Sequence, residues 1–136
     1  MHRWFLAVGL VAMAALTAGS VSAGGVAATT PLNVDVSQRL TSESEDTVAV
    51  NPTNPKNVVI VSNIEGAAPG LFVGVSFDGG TTWARRIIAN NDNLGDACCD
   101  PSLAFDEYGN LFLVYLYNVE NTVPIALSTD GGVTSG

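Results

Sequence analysis

Acidic side chains recur at two places where the sequence predicts the start of a β-strand. Glu45 and Asp46 precede one such strand, and Asp100 precedes a second strand of the same kind. Two carboxylates in different environments, roughly 5 to 10 Å apart, are what glycoside hydrolysis requires. Glu65 and Asp96 lie in predicted loops nearby. These five acids are therefore the candidate ligand-binding residues, and the sequence assigns a catalytic role to none of them.

Residues 90–100 form the most polar predicted loop of the chain. Asp92, Asp96 and Asp100 offer carboxylate oxygens, which are the ligands that Ca²⁺ prefers. Their spacing matches no calcium loop such as the EF-hand, so solvated loop carboxylates are the simpler interpretation. We expect no cofactor other than this candidate Ca²⁺.

Cys98 and Cys99 are the only cysteines, and they are adjacent. In an exported protein they could form a vicinal disulfide that stiffens the start of the following strand. Free thiols, or pairing with cysteines elsewhere, are the alternatives. A structural zinc site is not expected, because two adjacent cysteines without a nearby histidine cannot supply four tetrahedral ligands.

Residues 1–23 are predicted to be a signal peptide. A short basic start precedes an apolar run of about a dozen residues, and small residues follow at 21–23. Residues 24–41 read as a linker or flexible arm. The chain that remains after cleavage holds four basic residues against 13 acidic ones, a formal charge of −9. Such a negative charge disfavours binding to nucleic acid and to anionic membranes. It suits a secreted, extracellular or periplasmic protein.

A tight turn between two apolar runs positions the first group of predicted strands. It reads Ser-Phe-Asp-Gly-Gly-Thr-Thr-Trp at residues 76–83. The glycines accept the positive φ that hairpin turns need, and the Asp78 carboxylate can accept backbone N–H groups. Ser76 and Thr82 can join the ends of the turn, and Trp83 can pack it on its neighbours. We interpret Ser76, Asp78, Gly80, Thr82 and Trp83 as structural.

The unit then repeats. The turn returns as Ser128, Asp130, Gly132 and Thr134, 52 positions after the first copy, with Ser135 where the tryptophan would stand. Short β-branched runs recur at a similar spacing, which predicts a first unit at 42–90 and a second, truncated unit at 91–136. Four antiparallel strands repeated about every 50 residues are typical of β-propeller blades. A β-sandwich is the alternative, but it would not require the same turn once per four strands.

The octet resembles the Asp box, the Ser-x-Asp-x-Gly-x-Thr-Trp repeat of bacterial neuraminidases and related sialidase-like propellers. Residues 100–106, Asp-Pro-Ser-Leu-Ala-Phe-Asp, resemble the inner strands of the same family. The resemblance implies an all-β propeller, of which about two blades are present as an N-terminal fragment. It implies an exo-sialidase type of glycoside hydrolase, with a non-catalytic glycan- or protein-binding propeller as the alternative.

The catalytic residues of that family do not map onto this sequence. Its members bind the sugar carboxylate with three arginines and use a tyrosine–glutamate pair as nucleophile. Here Arg85 and Arg86 are adjacent on a predicted outer strand, and Arg39 lies in the arm. We therefore expect the chain by itself to be inactive. Propellers close with about four to eight blades, so we expect a piece of a longer propeller, with assembly from several chains as the alternative.

Overall fold

The computed structural model describes residues 33–66, 70–117 and 122–136. Within these ranges the chain forms eight β-strands and no helix. Their bounds are β1 Glu43–Val50, β2 Val58–Ile64, β3 Leu71–Ser76, β4 Ala84–Ile88, β5 Asn90–Asp92, β6 Gly95–Phe105, β7 Leu111–Tyr117 and β8 Ile125–Ser128. A helix long and apolar enough to cross a membrane is thus not found in the described part of the chain. The predicted signal peptide lies outside the described residues.

Strands β1 to β4 form the first antiparallel sheet (sheet 1), in which each strand pairs with the next along the chain. The central strand β3 is buried at all six positions, as its apolar and aromatic residues favour. Asn51 holds the β1–β2 turn, because its N–H donates to the oxygen of Asn57 (3.0 Å) and its Oδ1 accepts from the N–H of Thr53 (2.9 Å). The octet at 76–83 joins β3 to β4.

Strands β5 to β8 form the second antiparallel sheet (sheet 2). The loop expected at residues 90–100 is a hairpin instead, since β5 pairs with β6 and β6 already begins at Gly95. Asp92 closes this hairpin by accepting from the N–H of Ala89 (3.0 Å) and of Leu94 (2.8 Å). Gly95 has a φ of 79° and lies so close to the Tyr117 ring that a Cβ there would overlap it. Glycine is therefore required at the start of β6.

The fourth strand of sheet 2 lies at a different edge from the one that the repeat predicts. The sequence pattern places it after the second turn, whereas β5 supplies it beside β6. Beyond β8 the chain turns back, and Leu127 and Gly136 exchange two backbone hydrogen bonds of 3.2 Å each. The outer edge of β8 is thus paired over one residue only.

One apolar core lies between the two sheets. It consists of buried side chains from both of them: Val59, Val61, Leu71, Val73, Val75, Ile88, Ala89, Ala97, Leu111, Leu113, Tyr115 and Ala126. Gly132 of the second turn enters this core, where a Cβ would stand 2.9 Å from Val59 Cγ2. The sheets therefore pack face to face, and the second turn is part of their contact.

Residues 33–41, which we name the cover segment, pack on the outer face of sheet 1. Val36 lies over Gly74, where a Cβ would stand 2.8 Å from Val36 Cγ1. The Arg85 side chain donates to the oxygen of Val36. A cavity of about 240 Å³ remains beneath the segment, bordered by Ile60 and Phe72 among others. This part of the predicted arm is held against the sheet.

The sequence repeat is also present in the structure, because β2 and β3 pair in the same register as β7 and β8. Val59 faces Val75 and Val61 faces Val73 in sheet 1. Their counterparts in sheet 2 face each other in the same way, Phe112 with Leu127 and Val114 with Ile125. The prediction of an all-β chain built from antiparallel four-stranded units is confirmed.

Candidate functional site

The first long strand of each sheet contains an acidic bulge. In β1 the pairing with β2 shifts between Ser44 and Thr47, and Glu45 within the shift has a φ of 55°. In β6 the pairing with β7 shifts between Cys99 and Ser102, and Asp100 within it also has a φ of 55°. Left-handed backbone is unfavourable for side chains other than glycine, and it concentrates at functional sites. In both bulges, therefore, an acidic residue has a backbone conformation that regular strand pairing would not favour.

The two bulges meet. The backbone N–H of Asp100 donates to Glu45 Oε2 at 2.9 Å, and Asn63 Nδ2 donates to the same oxygen. Further along the same two strands, the N–H of Leu103 donates to Thr47 Oγ1 at 3.2 Å. These contacts hold β1 and β6 side by side, so that acids 55 positions apart in sequence become neighbours.

The two carboxyl groups influence each other's protonation in opposite directions. The hydrogen bond from the Asp100 N–H is the main cause that lowers the pKa of Glu45, and the Asn63 amide and the Asp100 side chain add to it. The negative charge of Glu45 is the main cause that raises the pKa of Asp100. The surroundings thus favour the ionised form of Glu45 and the protonated form of Asp100. Glycosidases separate their two carboxyl groups by about 5 to 9.5 Å, whereas here the backbone of one acid donates to the carboxylate of the other.

Two buried oxygens near these bulges lack a hydrogen-bond donor. Asn63 Oδ1 is buried and accepts nothing from the described residues, although the Nδ2 of the same amide is bound to Glu45. Asp96 Oδ1, on β6 four residues before Asp100, is also buried without a partner. A buried acceptor without a donor costs about 1 to 3 kcal/mol. Both oxygens are enclosed by the protein, so the exposed Glu45–Asp100 pair is the part of this region that a hydrogen-bond donor can reach.

Two of the five candidate acids lie apart from the carboxyl pair. Asp46 borders the cavity under the cover segment, together with Asp35 and Glu43. Glu65 is exposed beyond the end of β2, and its N–H donates to the oxygen of Ser42 at 3.1 Å. The structure thus brings together Glu45 and Asp100.

The sulfur atoms of Cys98 and Cys99 are bonded to each other, with an S–S distance of 2.14 Å. Cys98 is exposed and Cys99 is half-buried. Because the pair directly precedes Asp100 in the bulge of β6, this small ring restricts the backbone that carries the carboxylate.

The candidate calcium ligands do not form a cation site. Both oxygens of Asp92 accept backbone N–H groups within the β5–β6 hairpin. The Asp100 carboxyl group lies near the negative charge of Glu45, which raises its pKa and so disfavours its ionised form. Among the residues that the structure describes, no group of three or more acidic, histidine or cysteine side chains could hold a metal ion.

The first Asp-box turn is closed by its own side chains. Asp78 Oδ1 accepts from Ser76 Oγ and from the N–H of Thr82, both at 2.8 Å, and Oδ2 accepts from Thr82 Oγ1 at 2.7 Å. Gly80 donates its N–H to Ser76 Oγ at 2.8 Å, and Trp83 Nε1 donates to the oxygen of Gly80 at 3.0 Å. The Thr82 hydroxyl is the main cause that lowers the pKa of Asp78 to about 2.

The second turn repeats this network without a tryptophan. Asp130 accepts from Ser128 Oγ at 2.7 Å and from Thr134 Oγ1 at 2.6 Å, and Gly132 donates its N–H to Ser128 Oγ at 2.9 Å. Burial alone would raise the pKa of Asp130, but the hydrogen bonds from Thr134 and Ser128 outweigh it and lower the pKa to about 2. The carboxylates of Asp78 and Asp130 are thus both used to close their own turns.

Side chains of sheet 1 hold the second turn in place of the missing tryptophan. The fully buried Asn57 donates to the oxygen of Gly131 (3.0 Å) and to that of Ser76 (3.2 Å), so it joins the two turns. Arg86 donates to the oxygen of Gly132 at 2.7 Å. No sequence pattern indicates these roles, because both residues act on backbone groups that are distant in the chain.

Both Asp-box turns lie at the opposite end of their sheets from the carboxyl pair. Ser76 faces Val58, which faces Val50 at the far end of β1 from Glu45. The three described arginines are also engaged elsewhere, Arg39 with Glu43 at 2.9 Å, Arg85 with Val36 and Arg86 with Gly132. The acidic bulges therefore have neither an Asp box nor one of these guanidinium groups as a partner.

Comparison with known proteins identifies no relative, since no protein-family model, no curated protein and no solved structure matches the chain.

Proposed function

We propose that sheets 1 and 2 are neighbouring blades of an exported, sialidase-like Asp-box β-propeller that binds a neutral glycan at its paired acidic bulges. The propeller is supported by the two meanders of equal register and by their turns, which repeat one hydrogen-bond network. Export is supported by the Cys98–Cys99 disulfide, because disulfides persist in oxidising compartments.

The Glu45–Asp100 pair is the observation that carries the binding proposal. A carboxylate accepts strong, charge-assisted hydrogen bonds from hydroxyl groups. Glu45 and Asp100 are both exposed, so their carboxyl groups are open to a ligand. Sugars carry many hydroxyl donors in a fixed geometry, so a neutral oligosaccharide matches this set. A sialic acid carboxylate would instead be repelled by the negative charge.

Glycoside hydrolysis of the exo-sialidase type is the second candidate. The opposite pKa directions of Glu45 and Asp100 favour it, because acid–base catalysis needs one protonated and one ionised group. The hydrogen bond from the Asp100 backbone N–H to Glu45 Oε2 favours binding over hydrolysis, since it engages the carboxylate that a nucleophile or base would need free.

Binding is tested by screening the labelled chain against neutral and sialylated oligosaccharides and titrating the strongest ligand by calorimetry. Glu45→Gln is expected to weaken the affinity at least about tenfold, since hydrogen bonds to charged groups contribute about 1.5 to 3 kcal/mol. Glu107→Gln makes the same charge change in the exposed β6–β7 turn and is expected to bind normally. Absence of glycan binding refutes the proposal, and hydrolysis of a fluorogenic sialoside would favour the second candidate.

A further inference from the structure

Sheet 2 presents an exposed apolar face that is the repeat counterpart of a buried one. We name Phe112, Val114, Ile125 and Leu127 the outer patch. By strand register these residues correspond to Val59, Val61, Val73 and Val75. The pair Val59 and Val75 is 0% and 3% exposed, whereas Phe112 and Leu127 are 38% and 41% exposed. The same four positions of the repeat are thus buried in sheet 1, whereas in sheet 2 they form an exposed apolar surface.

In sheet 1 the corresponding buried residues pack against the inner face of sheet 2. Side chains of that inner face include Leu103, Phe105, Leu113 and Ala126. Leu103 faces Leu113, and Leu113 faces Ala126, across the three strands of that sheet.

Sheet 1 carries the counterpart of that covering surface on its outer face. In its register Val48 faces Ile60, which faces Gly74, and Val50 lies two residues further along β1. We name Val48, Val50, Ile60 and Gly74 the entry face. Val48 and Val50 are 63% and 54% exposed. The two halves of the existing sheet–sheet contact thus recur at opposite sides of the molecule, and the cover segment lies over part of the entry face.

We infer that a second copy of this chain docks its entry face on the outer patch, repeating between molecules the contact that sheets 1 and 2 make within one. The inference rests on the proposed propeller and extends it, because a propeller is built by repeating one contact between neighbouring blades. The contact is head to tail, so it closes into a ring or continues as a filament, depending on the rotation per copy.

The cover segment competes with this docking. Val36 lies over Gly74, at the position where the incoming patch would place an apolar side chain, and Arg85 holds the Val36 oxygen. Docking must displace Val36, whereas Val48 and Val50 are already accessible. The cover segment therefore lowers the affinity between copies and makes assembly depend on concentration.

The test measures the mass of the 136-residue chain in solution by sedimentation between about 1 and 100 μM. Assembly into two or more copies, rising with concentration, is expected. Leu127→Lys on the outer patch and Val48→Lys on the entry face are each expected to give single copies. Tyr108→Lys alters an exposed residue of the β6–β7 turn and is the matched control that still assembles. Circular dichroism verifies that each variant keeps the wild-type sheet content.

Mixing the two blocked variants separates this contact from a symmetric one. Val48→Lys retains its outer patch and Leu127→Lys retains its entry face, so the mixture is expected to form a dimer of one copy of each. Self-association of Val48→Lys alone would overturn the head-to-tail contact. A wild-type chain of single-copy mass at 100 μM would overturn the inference altogether, since another segment or protein would then cover the patch. Neither measurement uses a glycan, so the failure of glycan binding is a separate result.

Discussion

Asn57 is predicted to contribute more to stability than any other polar side chain at the contact of the two sheets. Its amide makes three buried hydrogen bonds: Nδ2 donates to the oxygens of Ser76 (3.2 Å) and Gly131 (3.0 Å), and Oδ1 accepts from Asn51 Nδ2 (3.1 Å). Asn57→Ala leaves three polar groups without this partner. Net contributions of about 0.5 to 1.5 kcal/mol per hydrogen bond, and more for a group left buried and unpaired, give a loss of about 2 to 4 kcal/mol.

Urea unfolding followed by circular dichroism measures this loss of free energy directly. Thermal unfolding gives a second measurement: in a domain of about 100 residues, 1 kcal/mol corresponds to about 4 to 8 °C, so the melting temperature is expected to fall by roughly 10 to 25 °C. Lys56→Ala, at the exposed neighbouring position, is the control and is expected to stay within about 0.5 kcal/mol of the wild type.

The result that refutes this reasoning is an Asn57→Ala free energy of unfolding within about 0.5 kcal/mol of the wild type. It would mean that water replaces the amide at no cost, and hence that the second turn is not held on sheet 1 by Asn57. Complete unfolding of the variant agrees with the prediction, because small domains have little stability to lose.

Two further predictions concern the turns. Asp78 and Asp130 have pKa values of about 2 in the folded chain, below the usual 3.8, so the stability that they add is complete above about pH 4 and is lost as the pH falls towards 2. Urea unfolding should therefore show a decreasing free energy across that window, and the double variant Asp78→Asn/Asp130→Asn a flatter dependence; an equal slope would contradict this. Arg86→Met removes the 2.7 Å bond to the Gly132 oxygen and should cost about 1 to 3 kcal/mol by the same assay, whereas unchanged stability would show that Arg86 does not hold the turn.

The carboxyl pair was only half predictable from the sequence. The repeat places Glu45 and Asp100 at equivalent positions, since both precede the first long strand of a unit. Their direct contact depends on two bulges with left-handed residues, and on β1 and β6 lying side by side. Asn63 was missed, because the end of an apolar strand gives no indication that an amide there reaches a carboxylate of the adjacent strand.

The predicted loop at 90–100 shows where local pattern reading fails. Its asparagines, aspartates and glycine are typical of turns. In the structure only the tip of the β5–β6 hairpin is a turn, because pairing with β5 and then with β7 draws residues 95–101 into a strand. Tertiary pairing overrides the weak preference of such residues for irregular structure.

Apart from β5 and the start of β6, the sequence by itself determined the strands, the two similar turns and their repeat, because each depends on contacts within a few residues. Alternating apolar residues define a strand with one buried face, and Ser, Asp, Gly and Thr in fixed order close a turn with their own hydrogen bonds. The tertiary structure alone decided how the sheets meet: the pairing of Glu45 with Asp100, the hold of Asn57 and Arg86 on the second turn, and which apolar face stays uncovered. Those contacts join residues about 45 to 75 positions apart. No local pattern encodes them, since they form only when one sheet packs on the other.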